Sequence, residues 1–319
     1  MVPPLPAAQM NALVIIEGDQ GRGSGFVAKI HDKFFVVTNL HVLSGQSNFT
    51  ITGMDGTKFA TTGQLFGSTE ADIAILSIPE PKFYLELLDE VNLNTQLGDL
   101  VTVPGNALGA GVATQINGRI VGFGPEMVEV DAKFVKGNSG SPIIHRPTGK
   151  VAGIATVVLV HRLEDLVVTR PTSGDRWFGY RLDQATHWEL LDWQKFKEQG
   201  LALRKIEDTT AALIALIRGL RTGISFDDLQ VKSAYSTFLR ERDLALTHNS
   251  EKELEYAVQH FSNSLGLITD AELKKYTAQD LYAYYVTRAR DELSLRKQIQ
   301  NAMPDFLGTL ARQVGSSAP

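Results

Sequence analysis

The segment Lys136-Gly137-Asn138-Ser139-Gly140-Ser141-Pro142 sets a serine among small residues. That composition permits a turn tight enough to expose a hydroxyl, with the backbone N–H groups of Gly137 and Ser139 converging on one point. Acyl transfer by a serine needs such a turn, together with an imidazole to take the hydroxyl proton and a carboxylate to orient that imidazole. His41 is the candidate imidazole, because the run Phe34-Phe35-Val36-Val37-Thr38-Asn39-Leu40-His41 ends a strand at Thr-Asn and delivers a histidine into the next turn. Asp72 is the candidate carboxylate. It stands directly before the apolar run Ile73-Ala74-Ile75-Leu76, at a strand start where it can be partly buried, whereas Asp55, Asp89 and Asp99 lie in polar turns. The other histidines, His31, His145, His161, His187, His248 and His260, have no such company and read as structural.

Short β-prone runs separated by Gly, Asn and Asp turns must position these residues. They are Ala12–Glu17, Ser24–Ile30, Phe34–Thr38, Phe49–Thr52, Ile73–Ile78, Leu100–Val103, Thr114–Gly122, Met127–Val130, Ser141–His145 and Val151–Val160, a pattern that suggests a sandwich or barrel. Residues 1–185 hold 22 of the 28 glycines and 10 of the 12 prolines, which marks a boundary near 185. Beyond it the periodicity becomes helical. Ile206, Thr210, Leu213, Ile217 and Leu220 form one apolar stripe over about Ala202–Leu220, expected to pack within a helical bundle. Ser250-x-x-Glu253 and Thr269-x-x-Glu272 read as capping boxes, with Gly266 a stop between them. A last helix is expected over Ala278–Ala302, stopped by Pro304, before a disordered tail.

Composition excludes several classes. Charged residues make up 21% and hydrophobic ones 43%, an ordinary globular balance. A net charge of -5 without a basic block argues against a nucleic-acid partner. The longest apolar runs, such as Val151–Val160, fall short of the roughly 20 residues needed to cross a bilayer, so no transmembrane segment is expected. The absence of Cys removes disulfides, thiol catalysis and Cys-based metal sites. Met1 to Ala8 lacks a basic region and an apolar core, so it reads as a linker left after removal of an export signal, and a periplasmic or secreted location is expected, with the cytoplasm as the alternative.

Taken in order, Gly23-Ser24-Gly25-Phe26, Thr38-Asn39-Leu40-His41-Val42, Ala71-Asp72-Ile73-Ala74-Ile75-Leu76 and Gly137-Asn138-Ser139-Gly140-Ser141-Pro142 resemble the motifs of trypsin-like, chymotrypsin-fold bacterial serine peptidases. The nearest branches are HtrA/Deg and the glutamyl endopeptidases, and the match covers about residues 10–160. The resemblance implies Ser139 as nucleophile, His41 as general base and then acid, Asp72 as orienting carboxylate, and Gly137 and Ser139 as oxyanion donors. It further implies that Val151–Val158 lines the specificity pocket, with Thr156 approaching Asp72 and with Thr156, Val157, Val158, Lys133 and Phe134 contacting substrate. Val158 would narrow the entrance and favour a small aliphatic residue before the scissile bond; an acidic residue drawn to Lys133 is the second choice, weakened because Ala155 stands where glutamyl endopeptidases carry a histidine. HtrA proteins usually continue into a peptide-binding PDZ domain, whereas helices come next here.

The expected architecture is therefore multi-domain β + α. A linker (1–10) precedes a chymotrypsin-like double β-barrel (11–185), which is followed by an all-α helical domain (186–314) and a tail (315–319). The expected activity is that of a serine endopeptidase acting on protein or peptide substrates through an acyl-enzyme, with no metal or organic cofactor. The alternative is an inactive protease-fold scaffold whose helical half holds a partner. Oligomerisation or regulatory contacts through the helices stay open.

Overall fold

The computed structural model describes residues 2–156, 176–218, 226, 228–265, 273–274 and 280–316, with 217–218 and 303–316 as backbone only. These residues divide into a β-rich unit, which runs to Leu201 and takes in Tyr282–Tyr284, and a helical unit holding the remainder.

The β-rich unit contains fifteen described strands: β1 (Leu13–Gly18), β2 (Arg22–Ile30), β3 (Lys33–Thr38), β4 (Phe49–Gly53), β5 (Lys58–Phe59), β6 (Leu65–Ser68), β7 (Ala74–Ile78), β8 (Leu85–Glu86), β9 (Leu100–Gly105), β10 (Thr114–Phe123), β11 (Met127–Val130), β12 (Pro142–His145), β13 (Val151–Thr156), β14 (Trp177–Tyr180) and β15 (Trp188–Leu191). β9 to β14 close a barrel in the order β10-β11-β14-β13-β12-β9. The other nine strands form a sheet in the order β15-β6-β7-β3-β2-β1-β4-β5, with β8 pairing with β2. Among the described residues the expected pair of barrels is thus one closed barrel and one open sheet, whose edge strand β5 is only two residues long. Alternating apolar side chains from both layers, among them Leu13, Phe26, Val37, Ile75, Ile144, Val151 and Ile154, make a common core. A second core of Val101, Val103, Ile120, Val128, Phe134 and Ile143 fills the barrel.

Two expectations change at the edges of this unit. Residues 2–10, within the expected linker (1–10), are packed: Leu5 is 6% exposed, its N–H donates to Gln115 Oε1 at 2.8 Å, and Arg146 Nη2 donates to the Pro3 carbonyl at 2.9 Å. The prolines flanking Leu5 hold the arm extended and lay that side chain into the core, ahead of the short helix α1 (Ala7–Asn11). Past residue 185 the chain is still β: β15 pairs antiparallel with β6, Trp188 opposite Ser68 and Leu191 opposite Leu65. Two further short helices, α2 (Leu40–Leu43) and α3 (Val91–Asn94), interrupt the strands.

The long helices are α4 (Trp193–Arg218), α5 (Leu229–Thr247), α6 (Glu251–Ser264) and α7 (Ala283–Ser316). α4 starts before the expected Ala202, and its stripe is buried at Ile206, Thr210 and Leu213; the Ile217 side chain and Leu220 lie outside the described residues. α5 was not anticipated, although Asp228 caps it by accepting the N–H groups of Gln230 and Val231 at 2.8 and 3.0 Å, and Val231, Tyr235 and Phe238 face a core with Leu254, Val258 and Phe261 of α6. Ser250 caps α6 by accepting the Glu253 N–H at 3.3 Å, but the other half of the expected box does not form: the Ser250 N–H donates to the Ala245 carbonyl and the Glu253 carboxylate meets His248 Nδ1. Gly266 and the Thr269–Glu272 box lie outside the described residues. α7 runs through Pro304, because strong helix formers on both sides outweigh the roughly 3 kcal/mol cost of an internal proline.

Within the helical unit Arg296 is 6% exposed; its Nε donates to Thr210 Oγ1 at 2.9 Å and its Nη2 to the Ile206 carbonyl at 3.0 Å. Nearby Glu292 Oε1 is buried 4.0 Å from Arg296 Nε, and among the described residues it has no hydrogen-bond partner. Burial pushes the Glu292 carboxyl up to about 7; the Thr210 hydroxyl beside it opposes the shift, the Glu207 charge adds to it, and Arg296 and Arg288 oppose it. The folded state therefore holds a proton that the unfolded chain releases at lower pH. The resulting stabilisation, on the order of 3 kcal/mol, is present below the unfolded value and is lost as pH rises to about 7. Glu292→Gln should abolish this dependence and leave the helical unit more stable than the parent at pH 8. Urea midpoints at pH 5 and 8 read the effect, and a variant with the parent's pH slope would refute it.

Candidate active site

Antiparallel register brings His41 and Asp72 together. Thr38 pairs with Ala74 at the end of β3 and the start of β7, so the residues just after β3 lie beside those just before β7. Asp72 Oδ2 meets His41 Nδ1 at 2.5 Å, and Asp72 Oδ1 accepts the His41 backbone N–H at 2.9 Å. An ionised carboxylate can only accept, so Nδ1 carries the ring proton and Nε2 is left as the acceptor. Asn39 donates from Nδ2 to the Asp72 carbonyl at 2.6 Å and locks the aspartate from behind. The imidazole is 31% exposed and the carboxylate 16%, so the pair faces a surface with its acid side sheltered.

Register also sets Ser139. Pro142 pairs with Ile154 at the start of β12 and toward the end of β13, and Gly140 N–H donates to the Ala155 carbonyl at 3.0 Å. The loop is joined to the open sheet by Ser24 N–H, which donates to the Ser139 carbonyl at 2.9 Å, while Thr38 Oγ1 donates to the Ser24 carbonyl at 2.8 Å. Ser139 and the strand that delivers His41 thus share Ser24 as a neighbour. Among the described residues no hydrogen bond joins Ser139 Oγ to the imidazole. Ser139 is 8% exposed.

Two glycines are obligatory here. Gly140 has φ +87, and a Cβ on it would collide with the Ser24 carbonyl; Gly137 has φ +96, and a Cβ on it would collide with the Asn106 carbonyl. The Lys136 carbonyl accepts Leu108 N–H at 2.8 Å, and the Asn138 carbonyl accepts Ser141 N–H at 2.9 Å. In a trans peptide the C=O and N–H point opposite ways. The N–H groups of Gly137 and Ser139, which belong to those same two peptides, are therefore turned away, and among the described residues neither has an acceptor.

The expected pocket residues are more scattered. Thr156 ends β13, 3% exposed, and no hydrogen bond joins it to Asp72 among the described residues. Phe134 is 2% exposed in the barrel core, with its carbonyl accepting Trp177 Nε1–H at 2.8 Å. Lys133 is exposed on the same segment. Val157 and Val158 lie outside the described residues. Asn39, Thr38 and Ser24 were within the sequence motifs but had no role assigned, because their function is to bond backbone groups far away in the chain. Among the described residues no cluster of His, Asp or Glu could hold a metal.

A second histidine, His145, has partners of similar types, Asp99 Oδ2 at 3.1 Å and Thr148 Oγ1 at 3.0 Å. It ends β12, away from the Ser139 loop, and is 2% exposed, so it braces a hairpin instead of facing solvent.

Residues 23–154 match the family model of the trypsin-like peptidase domain. A DegP-like periplasmic serine endoprotease of Brucella suis is 32% identical over 181 residues, covering 54% of this chain and 32% of that protein. The chloroplastic protease Do-like 1 of Arabidopsis thaliana is 31% identical over 196 residues, covering 51% and 44%. The chain thus spans about a third to under half the length of these relatives. Among solved structures, the serine endoprotease of Yersinia pestis is 22% identical with a TM-score of 0.43, covering 57% of this chain and 64% of that one.

Proposed function

We propose that this chain, whose residues 23–154 form a trypsin-like peptidase domain of the chymotrypsin-like serine protease family, is a serine endopeptidase with Ser139, His41 and Asp72 as its triad. The observation that carries the reading is the Asp72 carboxylate held on both the ring Nδ1 and the backbone N–H of His41, a geometry that frees Nε2 to take a proton. In this reading Ser139 Oγ attacks the carbonyl carbon of the scissile bond as its proton passes to Nε2. The carbonyl oxygen takes up the negative charge and receives the N–H groups of Gly137 and Ser139. Collapse expels the amine, which leaves with the proton from His41, and an ester remains on Ser139. Water then repeats the sequence and releases the acid. In this reading the hydrogen bond from Oγ to Nε2 forms on substrate binding, since catalytic contacts can tighten only in the bound complex.

A small aliphatic residue before the scissile bond is the proposed preference, resting on Val158 in the sequence, and Lys133, Phe134, Thr156 and Val157 complete the proposed pocket. The residues after the β-rich unit are proposed to form a helical domain that regulates or oligomerises the peptidase, which is exported like the relatives named as periplasmic. No helix among the described residues is long and apolar enough to cross a membrane.

A fluorophosphonate probe should label the wild-type protein, with the adduct mapping to Ser139 by peptide mass. An unlabelled, folded protein, or an adduct on another residue, would refute the reading.

A further inference from the structure

We infer that Ser24 is a positioning residue whose hydroxyl sets the geometry of the oxyanion donors; the inference rests on the peptidase reading above. The two donors, Gly137 N–H and Ser139 N–H, flank one peptide unit, that between Gly137 and Asn138. Rotation of that unit changes the dihedrals on either side of it and swings the donors apart. The structure fixes the unit at both ends. Its N–H, on Asn138, donates to the Val135 carbonyl at 3.0 Å. Its C=O, on Gly137, accepts the Ser24 hydroxyl at 2.8 Å.

The Ser24 hydroxyl is itself fixed, because it accepts the Asn106 N–H at 2.8 Å while donating to Gly137. Its donor capacity is therefore committed to Gly137, and its direction is set. Ser24 is 1% exposed, and its own N–H and C=O are taken by Ser139 and Thr38. Few side chains can replace it. Alanine has neither the donor nor the acceptor, and leaves the Gly137 carbonyl and the Asn106 N–H buried without partners. Threonine retains both functions. Because the hydroxyl touches no substrate atom, its loss should reach catalysis only through the two amides. Those amides act on the charge that develops in the transition state, so the loss should fall on kcat and not on KM.

The test compares wild type, Ser24→Ala and Ser24→Thr on a cleavable peptide, with a peptide aldehyde as a transition-state analogue and a urea midpoint for each protein. Removing an oxyanion donor outright costs about 10²–10³ in kcat, so displacement of the pair in Ser24→Ala should cost about 10- to 100-fold, with KM unchanged and aldehyde affinity falling by a similar factor. Ser24→Thr should stay within about threefold of wild type in both. An unchanged kcat in Ser24→Ala, or a loss of kcat with aldehyde affinity unchanged, overturns the positioning role. If Ser24→Ala does not fold, Ser24→Thr decides: wild-type kcat supports the role, and a folded threonine variant with a large loss overturns it. A wild type that neither hydrolyses the peptide nor binds the aldehyde removes the peptidase reading itself, and this role with it.

Discussion

Ser139→Ala should lower peptide turnover by at least ~10⁴-fold while the protein keeps its fold, because the residual rate of a triad lacking its nucleophile is that of substrate binding and oxyanion stabilisation alone. The change deletes one oxygen at the head of β12 and disturbs little else. The loop's ties run through backbone atoms that alanine keeps: the Ser139 carbonyl on Ser24 and the Gly140 N–H on Ala155. The unfolding midpoint should therefore stay close to wild type, which separates lost chemistry from lost structure. His41→Ala should fall as far, since in the proposed triad the imidazole is the group that takes the Ser139 proton. The two losses should not add in the double variant, because residues that act as a unit are removed together. Initial rates on a fluorogenic peptide, with active protein normalised by mass, measure this. Turnover of either variant within tenfold of wild type would end the triad assignment.

Asp72→Asn is expected to lower kcat by about 10⁴-fold at neutral pH. The carboxylate oxygens accept from both the ring and the backbone of His41. A carboxamide can present only one oxygen, and its NH₂ facing the ring would favour the tautomer that protonates Nε2, so the imidazole could no longer take the Ser139 proton. The variant should fold normally, since the bond from Asn39 Nδ2 reaches the Asp72 main-chain carbonyl, which asparagine retains. The loss should be in kcat, because in the proposed triad Asp72 acts through His41 and not on the substrate. The measurement is kcat and KM for both proteins at pH 7, with urea midpoints as the control for folding. A loss below tenfold would show that some other group orients His41.

Much of the β-rich unit was legible because period-two apolar alternation leaves a local signature. β11 spans Met127–Val130 as expected, and β3 differs from its expected span by a single residue. The strands that were missed, such as β5, β6 and β15, are short or polar and owe their existence to partners far away in the chain; β15 forms only because β6 is there to pair with. The same logic covers the N-terminal arm. Three prolines before residue 7 read as a linker, yet Leu5 finds a buried place in the core, which no local pattern encodes. In the helical unit, Ser250 was readable as a cap because capping is a contact across three residues. Glu292 was not readable as a buried carboxyl, because its environment is supplied by α4 from more than eighty residues away.

By itself the sequence determined the chemistry on offer: a serine between small residues, a histidine after a strand, and an aspartate before one, each marked by residues within a few positions. Only the tertiary structure decided how these groups are held. Pairing of Thr38 with Ala74 brings His41 to Asp72, and the serine at position 24 ties Ser139 to the strand that delivers His41. The physical reason is range. Turn and strand preferences act over a few residues and are written locally, whereas hydrogen bonds between distant peptide groups exist only once packing has brought those segments together.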